Sequence, residues 1–185
     1  MMKYLWHDER LTYDGTQLSS LFAYRNFSIQ GNSIIGFQGP CHVSIEEMVD
    51  LADVKQNAHI YSLKMVHFIV EVFEMDLVKT VYIQRILVSL VKEILEKLSV
   101  QGVVRRGDDL YIADKKLSVS IATLSPVSTM IHFGINVSSE DTPVPTLGLN
   151  DLNIDAVVFG EMLLKEFSDE VESVNMARCK VRGVL

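Results

Sequence analysis

Three stretches of the chain alternate apolar and polar residues with a period of two, the spacing of a strand with one buried face. From Lys64 to Phe73, Val66, Phe68, Val70 and Val72 share one side and leave His67 and Glu71 on the other. From Thr129 to Val137, Ile131, Phe133, Ile135 and Val137 oppose His132, Gly134 and Asn136. Between Arg106 and Ala122, a two-residue turn at Asp114-Lys115 pairs Ile112 with Leu117 and Leu110 with Val119. The opposite face of that hairpin then collects Asp109, Tyr111, Lys116, Ser118 and Ser120. Merging it with the polar side of the 129–137 strand requires even-numbered residues to face even-numbered ones, such as Lys116 opposite Asn136. That register calls for a loop of three or five residues, and not the four of Ser125-Pro126-Val127-Ser128.

The helical period appears elsewhere. Leu87, Leu90, Val91, Ile94, Leu95 and Leu98 form a stripe that predicts a helix over 79–98, with Arg85, Lys92, Glu93 and Glu96 outward. A second pattern over 154–167 aligns Val157, Gly160, Leu164 and Phe167, inside a C-terminal helical segment of about 150–175. Ser44-Ile45-Glu46-Glu47 has the form of a capping box and predicts a helix to about residue 54. Residues 16–24 suit a short helix, and 27–37 a strand pair or bulged strand that Gly36-Phe37-Gln38-Gly39-Pro40 ends. Alternation over the last ten residues suggests a weak terminal strand. Strands in runs and grouped helices point to an α+β fold, with a largely antiparallel mixed sheet and helices on one face.

Composition narrows the function. With 185 residues, 48% of them hydrophobic, residues 1–185 can fill the core of a single domain. A net charge of −7 argues against a nucleic-acid partner, whose phosphates need clustered Lys and Arg. No apolar run reaches membrane-spanning length, the start does not read as a secretion signal, and Cys41 and Cys179 make no disulfide scaffold. No membrane partner and a cytoplasmic location are therefore expected.

The hairpin carries the candidate chemistry. Small hydroxyls at Ser118 and Ser120, one lysine and one carboxylate leave space for a ligand and supply charge to hold it, so a small anionic ligand is expected at Lys116. His132 and Asn136 extend that floor. His67 and Glu71, about 13 Å apart on one strand face, are too far apart to share a metal but suit a cleft wall. Gln38, Arg25 and Gln17 are candidates for the rim. Cys41 and His42, adjacent on a strand, point oppositely, so the thiol reads as inert.

These patches resemble the catalytic domain of the biotin- and lipoate-protein ligases, which shares its fold with class II aminoacyl-tRNA synthetases. Asp109-Leu110-Tyr111 followed by Lys115-Lys116-Leu117 is similar to the family's Asn-Asp-Leu-Tyr hairpin and ligase lysine, and Phe133-Gly134-Ile135-Asn136 to its Gly-Ile-Asn strand. Ile34-Ile35-Gly36-Phe37-Gln38-Gly39-Pro40 is similar to the lipoate ligases' Ile-Gly-Arg-x-Gln-Asn-Pro segment, adding Gln38 and Gly39 to the candidate substrate contacts. The resemblance, running from about residue 30 to 137, is to an archaeal branch of that superfamily. It implies activation of a carboxylate by ATP and transfer to an acceptor protein. Lys116 would hold the carboxylate and phosphate, and Asp108 and Asp109 a magnesium ion or the nucleotide. The alternative is a non-catalytic module that binds a small anion or a partner protein on the same fold. A second copy of the chain is a further candidate partner.

Overall fold

The structure, a computed structural model, describes residues 1–56, 60–73 and 76–184. The elements run β1 (Lys3–His7), α1 (Phe22–Phe27), β2 (Ser33–Val43), α2 (Leu51–Gln56), β3 (Ile60–Val72) and α3 (Leu77–Lys97). They continue with β4 (Val103–Arg106), β5 (Asp109–Ile112), β6 (Lys115–Lys116), β7 (Ser118–Leu124), β8 (Thr129–Asn136) and α4 (Ala156–Ala177). A five-stranded sheet has the order β1-β2-β3-β8-β7, parallel only between β1 and β2, and β4-β5-β6 form a separate three-stranded sheet. The fold is α+β and mostly antiparallel, as its strand patterns imply.

The two long helices cover one face of the large sheet. Asp76 caps α3 by accepting from the Lys79 N–H (2.8 Å), and Asp155 caps α4 by accepting from Val157 and Val158 (both 2.9 Å). Leu87, Val91, Ile94 and Leu95 of α3 and Phe159, Leu163, Leu164 and Phe167 of α4 bury against Val66, Phe68, Val70, Ile131, Phe133 and Ile135. Val157, placed in the apolar row by spacing, stands at the solvent edge, and Phe159 and Leu163 take the inward positions. At Gly160 a Cβ would lie 2.1 Å from the Trp6 ring, so a residue without a side chain lets α4 settle on β1.

The second face of the sheet carries Ile35, Phe37, Cys41, Met65, Ile69 and Met130, and is covered by α1 and the 11–13 segment. β2 runs unbroken through Gly36–Pro40, where the sequence suggested an end. Opposite Pro40, which has no N–H to donate, β3 carries two residues, Leu63 and Lys64. This bulge puts Ser62 and Ile60 on the same side as Met65 despite their even numbers. On the other edge of β3 the Lys64 carbonyl continues the ladder to β8, accepting from Val137 (2.9 Å) and Ser138 (3.2 Å).

Other local expectations shift. Residues 45–47 form only a 3-10 turn in which Ser44 makes no side-chain cap, and α2 starts at Leu51. The short helix expected over 16–24 lies at Phe22–Phe27, entered through Leu21 at φ 62°. Residues 178–184 form no strand. Among the described residues no helix is long and apolar enough to cross a membrane.

Candidate functional site

The hairpin turns at Ala113-Asp114, both in the left-handed region (φ 47° and 64°), one residue earlier than predicted. Tyr111 then faces Lys116, and the Leu117 N–H donates to Leu110. Moving the turn by one residue slides the pairing by two, which keeps every side chain on its expected face. Leu110 and Leu117 are therefore buried, while Asp109, Tyr111 and Lys116 project together into a cavity of about 520 Å³.

Ser118 and Ser120 do not join them. β7 leaves the hairpin and pairs with β8 as Ile121↔His132 and Val119↔Gly134, through the four-residue loop that the expected register excluded. The odd sum turns both serines toward α3. Ser118 Oγ accepts from the Leu110 N–H (3.0 Å), and Ser120, at the cavity margin, accepts from Gln84 Nε2 (2.8 Å). Lys116 likewise does not sit opposite Asn136. The Asn136 amide instead donates to the Lys116 carbonyl (3.4 Å), and the 142–146 segment runs alongside, with Lys116 N–H donating to Pro145 and Leu147 N–H to Lys116.

Lys116 Nζ lies 2.8 Å from Asp109 Oδ2, and Tyr111 donates to the same oxygen (3.5 Å). Burial alone would lower the lysine's pKa, but the hydrogen bond and charge of Asp109, with Tyr111 and Asp53 nearby, raise it overall. Burial raises the Asp109 carboxyl further than Lys116 pulls it down. The ammonium is thus held charged, with two of its three N–H donors uncommitted to Asp109.

Asp108 points elsewhere. Arg85 Nη1 donates to it (3.0 Å), as does Gln84 Nε2 (3.2 Å), tying the hairpin to α3. The two adjacent carboxylates are neutralised by different donors, so they do not present a joint site for a hard cation. Among the described residues no cluster of three or more His, Cys, Asp or Glu has metal-binding geometry.

The floor holds a pair of fully buried histidines. The Gly39 carbonyl accepts from His67 Nε2 (3.3 Å), leaving Nδ1 to accept from His132 Nε2 (3.1 Å). Burial pulls His67 down to about 3, and burial with its neighbour pulls His132 well below the usual range, so both are neutral. Tyr13 stacks on His132 with ring centres 3.6 Å apart and planes 9° from parallel. Of the two histidines, only His132 lines the cavity.

The remaining candidates hold the scaffold. Glu71 accepts from the Leu21 N–H (2.7 Å) and Ser128 Oγ (2.6 Å), fixing a strained helix entry and the β7–β8 loop. Gln38 accepts through its carbonyl from Leu11, and a Cβ on Gly39 would lie 1.8 Å from the Leu11 oxygen, so the glycine permits that crossing. Gln17 spans Asp14 N–H and the Thr12 carbonyl (both 3.1 Å), and Arg25 donates to Ser19 (2.5 Å). Those two border a separate hollow beside α1 and are not part of the Lys116 rim. Burial pushes the Cys41 thiol up to about 12, so it is inert, as its place on the strand suggests.

Sequence reasoning missed Tyr13, Asp53, Ser62, Met65 and the 142–146 wall. Only Tyr13, next to the Asp14-Gly15 turn, carried any local signal. The full lining is acidic: Glu47, Asp50, Asp53, Asp108, Asp109 and Asp114 face one basic side chain, Lys116, among the described residues.

Comparison with known proteins places this geometry. The profile of a family described as a domain of unknown function (DUF366) matches residues 2–182. An uncharacterized protein of Methanocaldococcus jannaschii is 42% identical over 159 residues, covering 83% of this chain and 72% of its own length. A protein of unknown function from Pyrococcus horikoshi superposes with a TM-score of 0.94 at 40% identity, covering both chains fully. Both are archaeal, as the sequence resemblance implied. The biotin protein ligase of Aquifex aeolicus, solved in complex with biotin and ATP, superposes with a TM-score of 0.59 at 16% identity, over 92% of this chain and 70% of that one. The fold is that of the biotin/lipoate protein ligases.

Proposed function

The chain belongs to the DUF366 family, and from the geometry of its ligase-like cavity we propose that it captures a small carboxylate-bearing ligand on Lys116, as a ligase-like or acyltransferase-like domain. The observation that carries this reading is a half-buried ammonium, fixed by Asp109 and backbone bonds from 145–147, with two donors still free inside a cavity of about 520 Å³. That volume suits a ligand of modest size. An ammonium at the carboxylate would also stabilise negative charge that builds on an acyl oxygen during transfer. His132 and Tyr13 supply a flat, uncharged floor for an acyl chain.

A nucleotide and an acceptor protein belong to the catalytic form of this proposal, as does a cytoplasmic setting. The acidic lining favours a second reading, a non-catalytic module that binds the carboxylate alone, because Glu47, Asp50 and Asp53, which have no ion-pair partner among the described residues, repel an unshielded triphosphate.

Thermal shift and calorimetry with octanoate, lipoate and biotin, each with and without ATP and magnesium, test both. At least one carboxylate should raise the midpoint through linkage, and Lys116→Ala should abolish the gain. Failure of every carboxylate, or full affinity in Lys116→Ala, would overturn the reading. A carboxylate response unaffected by nucleotide selects the non-catalytic form.

A further inference from the structure

The cavity holds more acceptors than its own donors satisfy. Asp108 is paired with Arg85, Asp109 with Lys116 and Asp114 with Arg106, while Asp50 accepts from the Ala52 N–H. Asp53, half-buried on α2, has no hydrogen-bond or ion-pair partner among the described residues. Ser62, which the β3 bulge turns to this side, is a 2% exposed residue in the lining of the same cavity, and its buried hydroxyl has no partner among the described residues.

Leaving such a hydroxyl unmet is costly, and a half-buried carboxylate needs a counter-charge. A plain carboxylic acid offers neither group a donor and brings a further negative charge past the acidic wall. A protonated amine offers three N–H donors and a positive charge. Asp53, Ser62 and Lys116 line one cavity of about 520 Å³, so one small molecule can reach all three.

We propose that the ligand is an amino-carboxylate, its carboxylate on the two spare Lys116 donors and its ammonium held by Asp53 and Ser62. The inference rests on the carboxylate reading above and adds a second polar end to the ligand. Burial and the charge of Asp50 raise the Asp53 carboxyl, against an opposing pull from Lys116, as befits an acid short of positive neighbours.

Calorimetry at pH 7 with hexanoate, 2-aminohexanoate, 6-aminohexanoate and hexylamine separates the two ideas. One of the two amino acids should bind at least tenfold tighter than hexanoate. Asp53→Asn should bring that amino acid down to the affinity of hexanoate, and Ser62→Ala should weaken it in the same direction. If hexanoate binds as tightly as both amino acids, or the advantage survives in Asp53→Asn, the second subsite is refuted and the carboxylate reading stands. If none of the three carboxylates binds, both fall together.

Discussion

The buried histidine pair makes stability depend on acidity in a window where few other groups titrate. In the folded chain His67 stays neutral until about pH 3, whereas an ordinary histidine takes a proton at 6.5. The depressed folded value means the contribution is present in full above pH 6.5 and is lost as pH falls below it. At pH 5 the gap is about 1.5 pH units, worth about 2 kcal/mol for one histidine at 1.36 kcal/mol per unit. His132, shifted the same way by burial and by its neighbour, adds to that loss. With a urea slope of about 2 kcal/mol per molar, His67 alone should lower the unfolding midpoint by about 1 M between pH 7 and pH 5, and His132 adds to it in the same direction. His132→Gln should reduce that dependence, whatever it does to the absolute stability. Urea titrations at half-unit steps, with imidazole NMR shifts read in parallel, make the measurement. A midpoint that is flat across the window, or a slope that His132→Gln leaves intact, would refute the neutral, proton-sharing pair.

Lys116→Met removes the hydrogen bond and the charge that, together with the Tyr111 hydroxyl, lower the Asp109 carboxyl, so its pKa should rise further, read from the carboxyl carbon by NMR; an unchanged titration would mean that the 2.8 Å pair does not form in solution. Gly160→Ala sets a helix-propensity gain of about 1 kcal/mol against overpacking of about 1–3 kcal/mol, because the new methyl falls 2.1 Å from Trp6. Chemical denaturation should show a net loss, and a gain would show that the indole swings clear.

Periodicity exposed the elements with a clean inside and outside. α3 and α4 follow from single stripes of apolar residues, because burial on one side is a local constraint, and the alternation of β3 and β8 sorts their faces correctly although the sheet is covered on both. Register was less legible. Both the Ala113-Asp114 turn and the Ser125–Ser128 loop depend on how a few residues close a bend, and neither Ala nor Asp announces a left-handed backbone as glycine does. The hairpin survived a one-residue error because its pairing slid by two. β7 did not survive the loop error, and Ser118 and Ser120 went to the helix side. Lys116, Asp108, Asp109, His132 and Asn136 were identified at the cavity because they sit on or beside the hairpin and β8. Tyr13, Asp53 and Ser62 come from distant segments, and Ser62 faces inward only through a bulge set by Pro40 on another strand. The sequence resemblance identified the fold, while the acidic character of the lining became visible only after α2 and the hairpin met.

The chain that runs from β8 back to the hairpin has an evolutionary corollary. The Lys64 carbonyl grips the chain as it leaves β8, and that chain returns to grip the main chain of Lys116 at 145–147, all through peptide groups. Relatives should therefore tolerate almost any substitution at exposed Glu140 while resisting insertions or deletions beside it, since the length of this strap positions the ammonium.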